Sequence, residues 1–287
     1  MTLTTDYTYQ FSDTGVILNS SANPTLPFVD ISKVSGLDTS EYRVSERVRE
    51  GADGGFMDSQ FENMRAITLE GTIYSPADQA EIFADTLKSN FAPSFSNSPF
   101  YFKHPTVGQR VIFAKSLGCR YDVDSLRRVG QTAIQFQLKA EDPTIYGSQI
   151  ILTGSLAAAS SGRSYPRSYN YGYGIVLGSA GAVNAFNAGN KPATAIIRLQ
   201  NVINPVVVND TVSKKLTFTA TINSPDYYDI DLRNRTVILN GTANRRGTVQ
   251  GTSQWFLLQP GDNLLRLLGS AGTGTPTMTV TYRPAWR

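Results

Sequence analysis

With one cysteine, one histidine, two tryptophans and only 17% charged residues in 287 positions, the chain is poor in the side chains that most chemistry uses. Cys119 stands alone, which excludes an internal disulfide framework and a multi-cysteine metal cluster, and it reads as a small buried apolar residue. His104 precedes Pro105 in a loop after an aromatic strand. Nothing in the sequence brings Cys119 to it, and a nucleophile–base pair would also need a third member and an oxyanion donor. The same shortage of His and Cys disfavours zinc, so no catalytic group, cofactor or metal is expected. No apolar run approaches the ~20 residues that cross a bilayer. The polar start Met1 to Gln10 lacks a signal-peptide pattern, which predicts a soluble chain, made in a cytoplasm and not membrane-inserted. A net charge of +3 without a long basic run gives no ground for specific nucleic-acid binding.

What remains is strand and turn. Hydrophobic residues make up 40% of the chain, with abundant Gly, Thr, Ser and Asn. The clearest stretch is Tyr227 to Leu268. Tyr228, Ile230 and Leu232 alternate with Asp229, Asp231 and Arg233, the period of a strand with one buried face. Arg233 to Arg235 turns the chain, Thr236 to Leu239 returns, and Asn240-Gly241 supplies residues that tolerate positive φ. Trp255 to Leu258 starts another β segment, Pro260 to Asn263 turns it, and Leu264 to Leu268 leads out. This spacing predicts a β-sandwich or barrel.

From the N-terminus, Tyr7, Tyr9 and Phe11 share one parity, Asp13 to Gly15 turns, Val16 to Leu18 pairs back, and Phe28 to Val34 continues in β pattern. Glu41 to Met57 is charged, with Gly51, Gly54 and Gly55 close together, and reads as a long hairpin or arm with a flexible tip. Arg65 to Tyr74 is a strand with Ile67, Leu69, Gly71 and Ile73 on one parity. A helix is expected next, with Ser75 as N-cap, Pro76 at its first position and Asp78 in its first turn. Ala80, Phe83, Ala84 and Leu87 form its apolar stripe, and Asn90 and Pro93 stop it. Phe100 to Phe102, Gln109 to Ser116, Gly118 to Val123 and Ala133 to Ala140 add strands before Asp142-Pro143. These divisions give a first domain at 1–152, a Ser/Ala/Gly-rich linker at 153–168 and a second domain at 169–287. The second domain's strands include Gly174 to Leu177, Ala193 to Leu199, Pro205 to Asn209, Lys215 to Ile222 and Thr277 to Arg283.

Other candidate sites have plain readings beside their functional ones. Asp229 and Asp231 lie on one strand face about 7 Å apart along the chain. Such a pair can hydrolyse glycosides or hold calcium, but a solvated face neutralised by Arg233 and Arg235 is the ordinary meaning, and Asp122 with Asp124 repeats it. Gly172, Gly174 and Gly178 are followed by no helix start and make no phosphate loop. Tyr165, Tyr169, Tyr171 and Tyr173 could stack on sugars or pack a domain boundary. With no chemistry visible, the function reads as mechanical or recognitional.

The order of these parts resembles the distal tail protein family of long flexible-tailed, siphovirus-type bacteriophages. The matching residues are the charged Gly-rich arm ahead of Arg65 to Gly71, the lone helix after Ser75-Pro76, and Asp142-Pro143 with Tyr146-Gly147. In the second domain they are Asn187-Ala188-Gly189-Asn190 with Pro192-Ala193, Asn204-Pro205, Tyr228 to Gly241, and Phe256 to Asn263. The resemblance implies a mainly β fold: an N-terminal ring-forming belt domain with one helix and a protruding arm, followed by a C-terminal galectin-like β-sandwich. It implies a non-enzymatic virion protein at the tail tip, a homo-hexameric ring joining tail tube protein to the tail hub. Tape measure, receptor-binding or fibre proteins are the further partners, and DNA passes through the lumen without specific binding. In the arm, Arg49, Gly51, Gly54 and Gly55 are the residues expected to serve assembly. The alternative is a carbohydrate-binding module for host-surface recognition. Sugar-binding galectins use a groove histidine that residues 169–287 lack, leaving Trp255 as the sugar-stacking candidate. A hydrolase trails both.

Overall fold

Strand Arg65–Tyr74 turns Arg65, Ile67, Leu69, Gly71 and Ile73 to one buried side and its intervening residues outward, as period-two alternation requires. The computed structural model describes residues 3–12, 15–19, 25–76, 78–122, 125–157 and 182–287. The chain is mainly β, with one α-helix among the described residues, and it divides into two units.

The first unit runs to Ser148. Its strands are β1 (Thr8–Phe11), β2 (Ile17–Leu18), β3 (Phe28–Ser35), the short arm strands β4 (Tyr42–Arg43), β5 (Glu46–Val48), β6 (Gly55–Met57) and β7 (Phe61–Glu62), then β8 (Arg65–Tyr74), β9 (Ser98–His104), β10 (Gly108–Tyr121), β11 (Gln131–Ala140) and β12 (Ile145–Gly147). The sheet order is β2-β1-β9-β10-β11-β8-β3. Two strands expected at 109–116 and 118–123 are the single strand β10, whose register shifts between Ser116 and Gly118. Its first half pairs with β9 and its second with β11. A bulge of this kind lets one strand serve two leaves, because the extra residue bends it without breaking the ladder.

Phe91, just past the helix, fills the space between the leaves. It stacks on Phe11 of β1 at 5.3 Å and meets Phe136 of β11 at 4.3 Å. The helix α1 spans Ala80–Asn90 and buries Ala80, Ala84 and Leu87, with Phe83 half-buried. It begins five residues after the expected cap: Gln79 is the N-cap, and Ser75 donates its backbone N–H to Gly130 at 3.0 Å instead. Ser75 is thus still part of the sheet edge. Tyr7 also departs from the expected inward parity, being exposed with φ 56°.

The second unit, residues 149–286, holds β13 (Ile151–Ala157), β14 (Ala182–Asn184), β15 (Ala195–Asn209), β16 (Lys214–Thr217), β17 (Thr221–Asp231), β18 (Thr236–Leu239), β19 (Ala243–Asn244), β20 (Leu264–Ala271) and β21 (Thr277–Tyr282). The expected linker therefore begins in a strand, since β13 pairs with β21; residues 158–168 lie outside the described residues. So do the expected strand 174–177 and the glycines and tyrosines weighed between 165 and 178. The strands expected at 193–199 and 205–209 are one strand, β15, with register shifts at Gln200/Val202 and Ile203/Val206. Asn201 and Asn204 take positive φ at those shifts, where Asn is among the residues that adopt it most readily. The first half of β15 lies between β17 and β21, the second between β16 and β20. The expected strand 215–222 is interrupted at Phe218–Ala220, and Trp255 to Leu258 makes no strand, only a bridge from Leu258 to Ala193. The Tyr228 hairpin has its expected form: Tyr228, Ile230 and Leu232 are buried, and Asp231 pairs with Thr236 across the turn.

Candidate assembly surfaces

The carboxylate pairs are held by structural partners. Asp229 receives both Nε and Nη2 of Arg198 at 2.7 and 2.8 Å. This fork, with the guanidinium lying 4.1 Å over Tyr227, raises the Arg198 pKa through its hydrogen bonds to Asp229. Asp231 closes the turn, accepting the N–H groups of Arg233 and Asn234 and the Asn234 amide. The expected neutralisation of Asp229 comes from Arg198 across the sheet rather than from the sequence neighbours Arg233 and Arg235, a pairing set by strand register. Asp122 is exposed, and Asp124 lies outside the described residues.

His104 and Cys119 sit towards opposite ends of β10: His104 pairs with Gly108, Cys119 with Phe136. Burial, with opposing help from Lys88, holds the thiol above its ordinary pKa, the wrong direction for a nucleophile. His104 is packed among Tyr7, Tyr9 and Phe102 with ring centroids 5.5 to 6.2 Å away, and its Nε2 is buried without a hydrogen bond. Burial first, then the charge of Arg110, lowers its pKa. A depressed histidine pKa means that the unfolded chain binds the proton more readily, so stability is full above the ordinary histidine range and falls as pH drops through it. His104→Gln should flatten that part of the profile. Thermal midpoints of both proteins between pH 7.5 and 5 check this, since a larger acid loss in the parent chain is expected.

The arm rises between Gly36 and Arg65. β4 pairs with β7, and β5 with β6, making one long hairpin. Asp58 N–H to Ser45 and Asn63 N–H to Glu41 continue the ladder. At the tip, Arg49 donates to the Gly54 carbonyl, and Gly51 and Gly54 take φ of 74° and 90°, which other L residues adopt only at a cost. A Cβ on Gly55 would sit 2.8 Å from the Arg47 carbonyl oxygen. The side chains are exposed along the whole hairpin. Val48 is 86% exposed, and Phe56, Met57 and Phe61 each more than half. Arginines cover two of the aromatic rings, Arg49 over Phe56 at 4.5 Å and Arg43 over Phe61 at 6.0 Å.

Arg65 ties down the arm's root. It is fully buried, donating Nε to the Pro143 carbonyl at 2.8 Å and Nη1 to the Gly36 carbonyl at 2.9 Å. Burial lowers its pKa, opposed by Glu62, Asp38 and Tyr42, all in the arm's base. Sequence reading passed it over, although it shares the parity of Ile67 and Leu69, and an arginine on a buried parity was the available signal. Arg65→Ala strands two carbonyls and should cost the first unit about 3 kcal/mol. Urea unfolding checks this, with a smaller loss expected for Arg65→Lys.

In the second unit, Asn187 is a buried knot. Its Nδ2 donates to the carbonyls of Lys191 and Leu258, and its Oδ1 accepts from Gly189 and Ala285. Asn263 does the same for the Pro260 turn, donating to Ala185, Gln259 and Gly261 and accepting from Gln259. Trp255 is half-buried, and the Arg246 guanidinium lies 5.2 Å from its ring centroid.

Residues 188–286 match the model of a siphovirus-type tail component, C-terminal domain. Among solved structures, the SPP1 Dit (gp 19.1) protein, described as a paradigm of hub adsorption apparatus in Gram-positive infecting phages, is similar in fold. At 13% identity it aligns over 96% of this chain and 97% of its own, with a TM-score of 0.63. Chains of the phage P2 baseplate in its activated conformation, with Ca and with Sr, align over the same shares at 9% identity, with TM-scores of 0.53 and 0.52. No curated protein matches the sequence.

Proposed function

We propose, for a chain whose residues 188–286 place it in the siphovirus-type distal tail protein family, that it closes into a homo-hexameric ring joining the tail tube to the tail-tip hub. It is a structural component of a phage tail. In the proposed ring, residues 1–152 form the belt, the arm bearing Arg49, Gly51, Gly54 and Gly55 reaches a neighbouring copy, and the galectin-like second domain stands free to hold receptor-binding or fibre proteins. The lumen passes DNA without reading it. The observation that carries this reading is the arm. Val48, Phe56, Met57 and Phe61 are exposed on a hairpin with no core of its own, and apolar side chains held out in this way gain burial only from a partner. Head-to-tail contact between identical copies closes a ring when the rotation fits. Native mass measurement of the purified chain tests it: six copies are expected, and a monomer at all concentrations would refute it.

A further inference from the structure

Charge is divided unevenly along this chain. Residues 149–286 hold twelve Lys and Arg against five Asp and no Glu, while residues 1–148 hold thirteen against eighteen. The near-neutral total hides this, and an asymmetry between halves is itself a signal of a charged partner. Within the second unit the excess is concentrated. Residues 211–225 and 232–261 contain Lys214, Lys215, Arg233, Arg235, Arg245 and Arg246 and not one acid.

Backbone hydrogen bonds join these two stretches into one surface. Arg245 donates to Val237 at 2.8 Å, two residues from Arg235. Thr219 donates to Thr248 and Gln250 to Thr217, and Gln254 donates to Lys215 at 2.8 Å. Trp255 follows Gln254 and meets Arg246. The path Arg235, Arg245, Arg246, Trp255, Lys215, Lys214 is therefore continuous, and its cationic side chains are exposed. Elsewhere in the same unit arginine is consumed internally: Arg198 by Asp229 and Arg266 by Asp210.

We propose that this surface binds an anionic polysaccharide, with Trp255 against a sugar ring and the flanking cations on its phosphate or carboxylate substituents. The ring is what favours this partner over an acidic protein segment: a carboxylate-rich peptide needs cations alone, whereas an indole beside guanidinium groups suits a ligand that alternates flat apolar faces with charge. Arg246 holds the indole in place through its cation–π contact. The proposal stands apart from ring assembly, since it uses only residues of the second unit.

The test is binding of the full chain, by calorimetry at 0.15 M salt, to phosphorylated dextran, unmodified dextran and inorganic polyphosphate of matched charge. Phosphorylated dextran should bind at least tenfold tighter than either of the others. Trp255→Ala should bring its affinity down to that of polyphosphate while leaving polyphosphate binding unchanged, which also shows that the variant is folded; Trp255→Tyr should keep most of the preference. Arg245→Gln with Arg246→Gln should weaken both polyanions about tenfold and reduce the salt dependence. Absence of binding, or equal affinity of the parent chain for phosphorylated dextran and polyphosphate, overturns the proposal, the latter by reducing the surface to general attraction for polyanions.

Discussion

Deleting residues 49–55 should leave a folded chain that no longer forms a stable ring. The excised segment carries the tip turn, whose Gly51 and Gly54 adopt left-handed backbone conformations, and the guanidinium that covers Phe56. None of it is packed on the core: each residue from 49 to 55 is exposed. Loss of the tip therefore removes little from the stability of the first unit, and circular dichroism should show an unchanged β signal with a melting temperature within a few degrees of the parent. Assembly is another matter. If the arm supplies a neighbour's contact, shortening it removes a large share of the apolar area available for burial, and at ~25 cal/mol per Å² a few hundred Å² lost at each of several repeated interfaces is enough to shift the product from ring to free chain. Native mass spectra should show single chains, and a ring persisting in the deletion would mean that the arm serves something else.

The second large effect lies at Gly189 and Asn187. A Cβ on Gly189 would overlap the backbone carbonyl of Ala285, which has no flexible end to give way. Asn187 is buried and joins four backbone groups, from Gly189, Lys191, Leu258 and Ala285. Asn187→Ala leaves those groups with fewer partners and should cost about 3 to 5 kcal/mol, lowering the melting temperature of the second unit by roughly 10 °C. Gly189→Ala should be at least as damaging, because relief requires the two strands of backbone to separate. Scanning calorimetry checks both variants. A transition shift under 2 °C would mean that the Asn187 knot contributes far less than its hydrogen bonds imply.

These residues illustrate what sequence could and could not convey. Alternation exposed β8, β11 and the Tyr228 hairpin because one face of each is buried and one wet, and residue periodicity encodes that difference directly. The bent strands β10 and β15 each read as two, since a bulge interrupts the period without ending the hydrogen-bond ladder. The helix start was misplaced because Ser75-Pro76 is good capping chemistry, and the competing bond from Ser75 to Gly130 depends on a residue 55 positions away. Asn187 and Asn263 looked like turn formers. Their amides instead tie together loops distant in sequence, and no local pattern distinguishes the two uses. The arm was legible from its charge and glycines, whereas its two-ladder hairpin and its clamp at Arg65 needed coordinates. The basic path around Trp255 was scattered over four short segments, each unremarkable by itself.

The most direct test of the account is a reconstruction of the tail's distal end in intact virions. The account predicts six copies of this chain in a closed ring where the tube meets the hub, with each arm on a neighbouring copy and an open lumen. Finding the chain at another position, or as isolated copies with their arms in solvent, would contradict it.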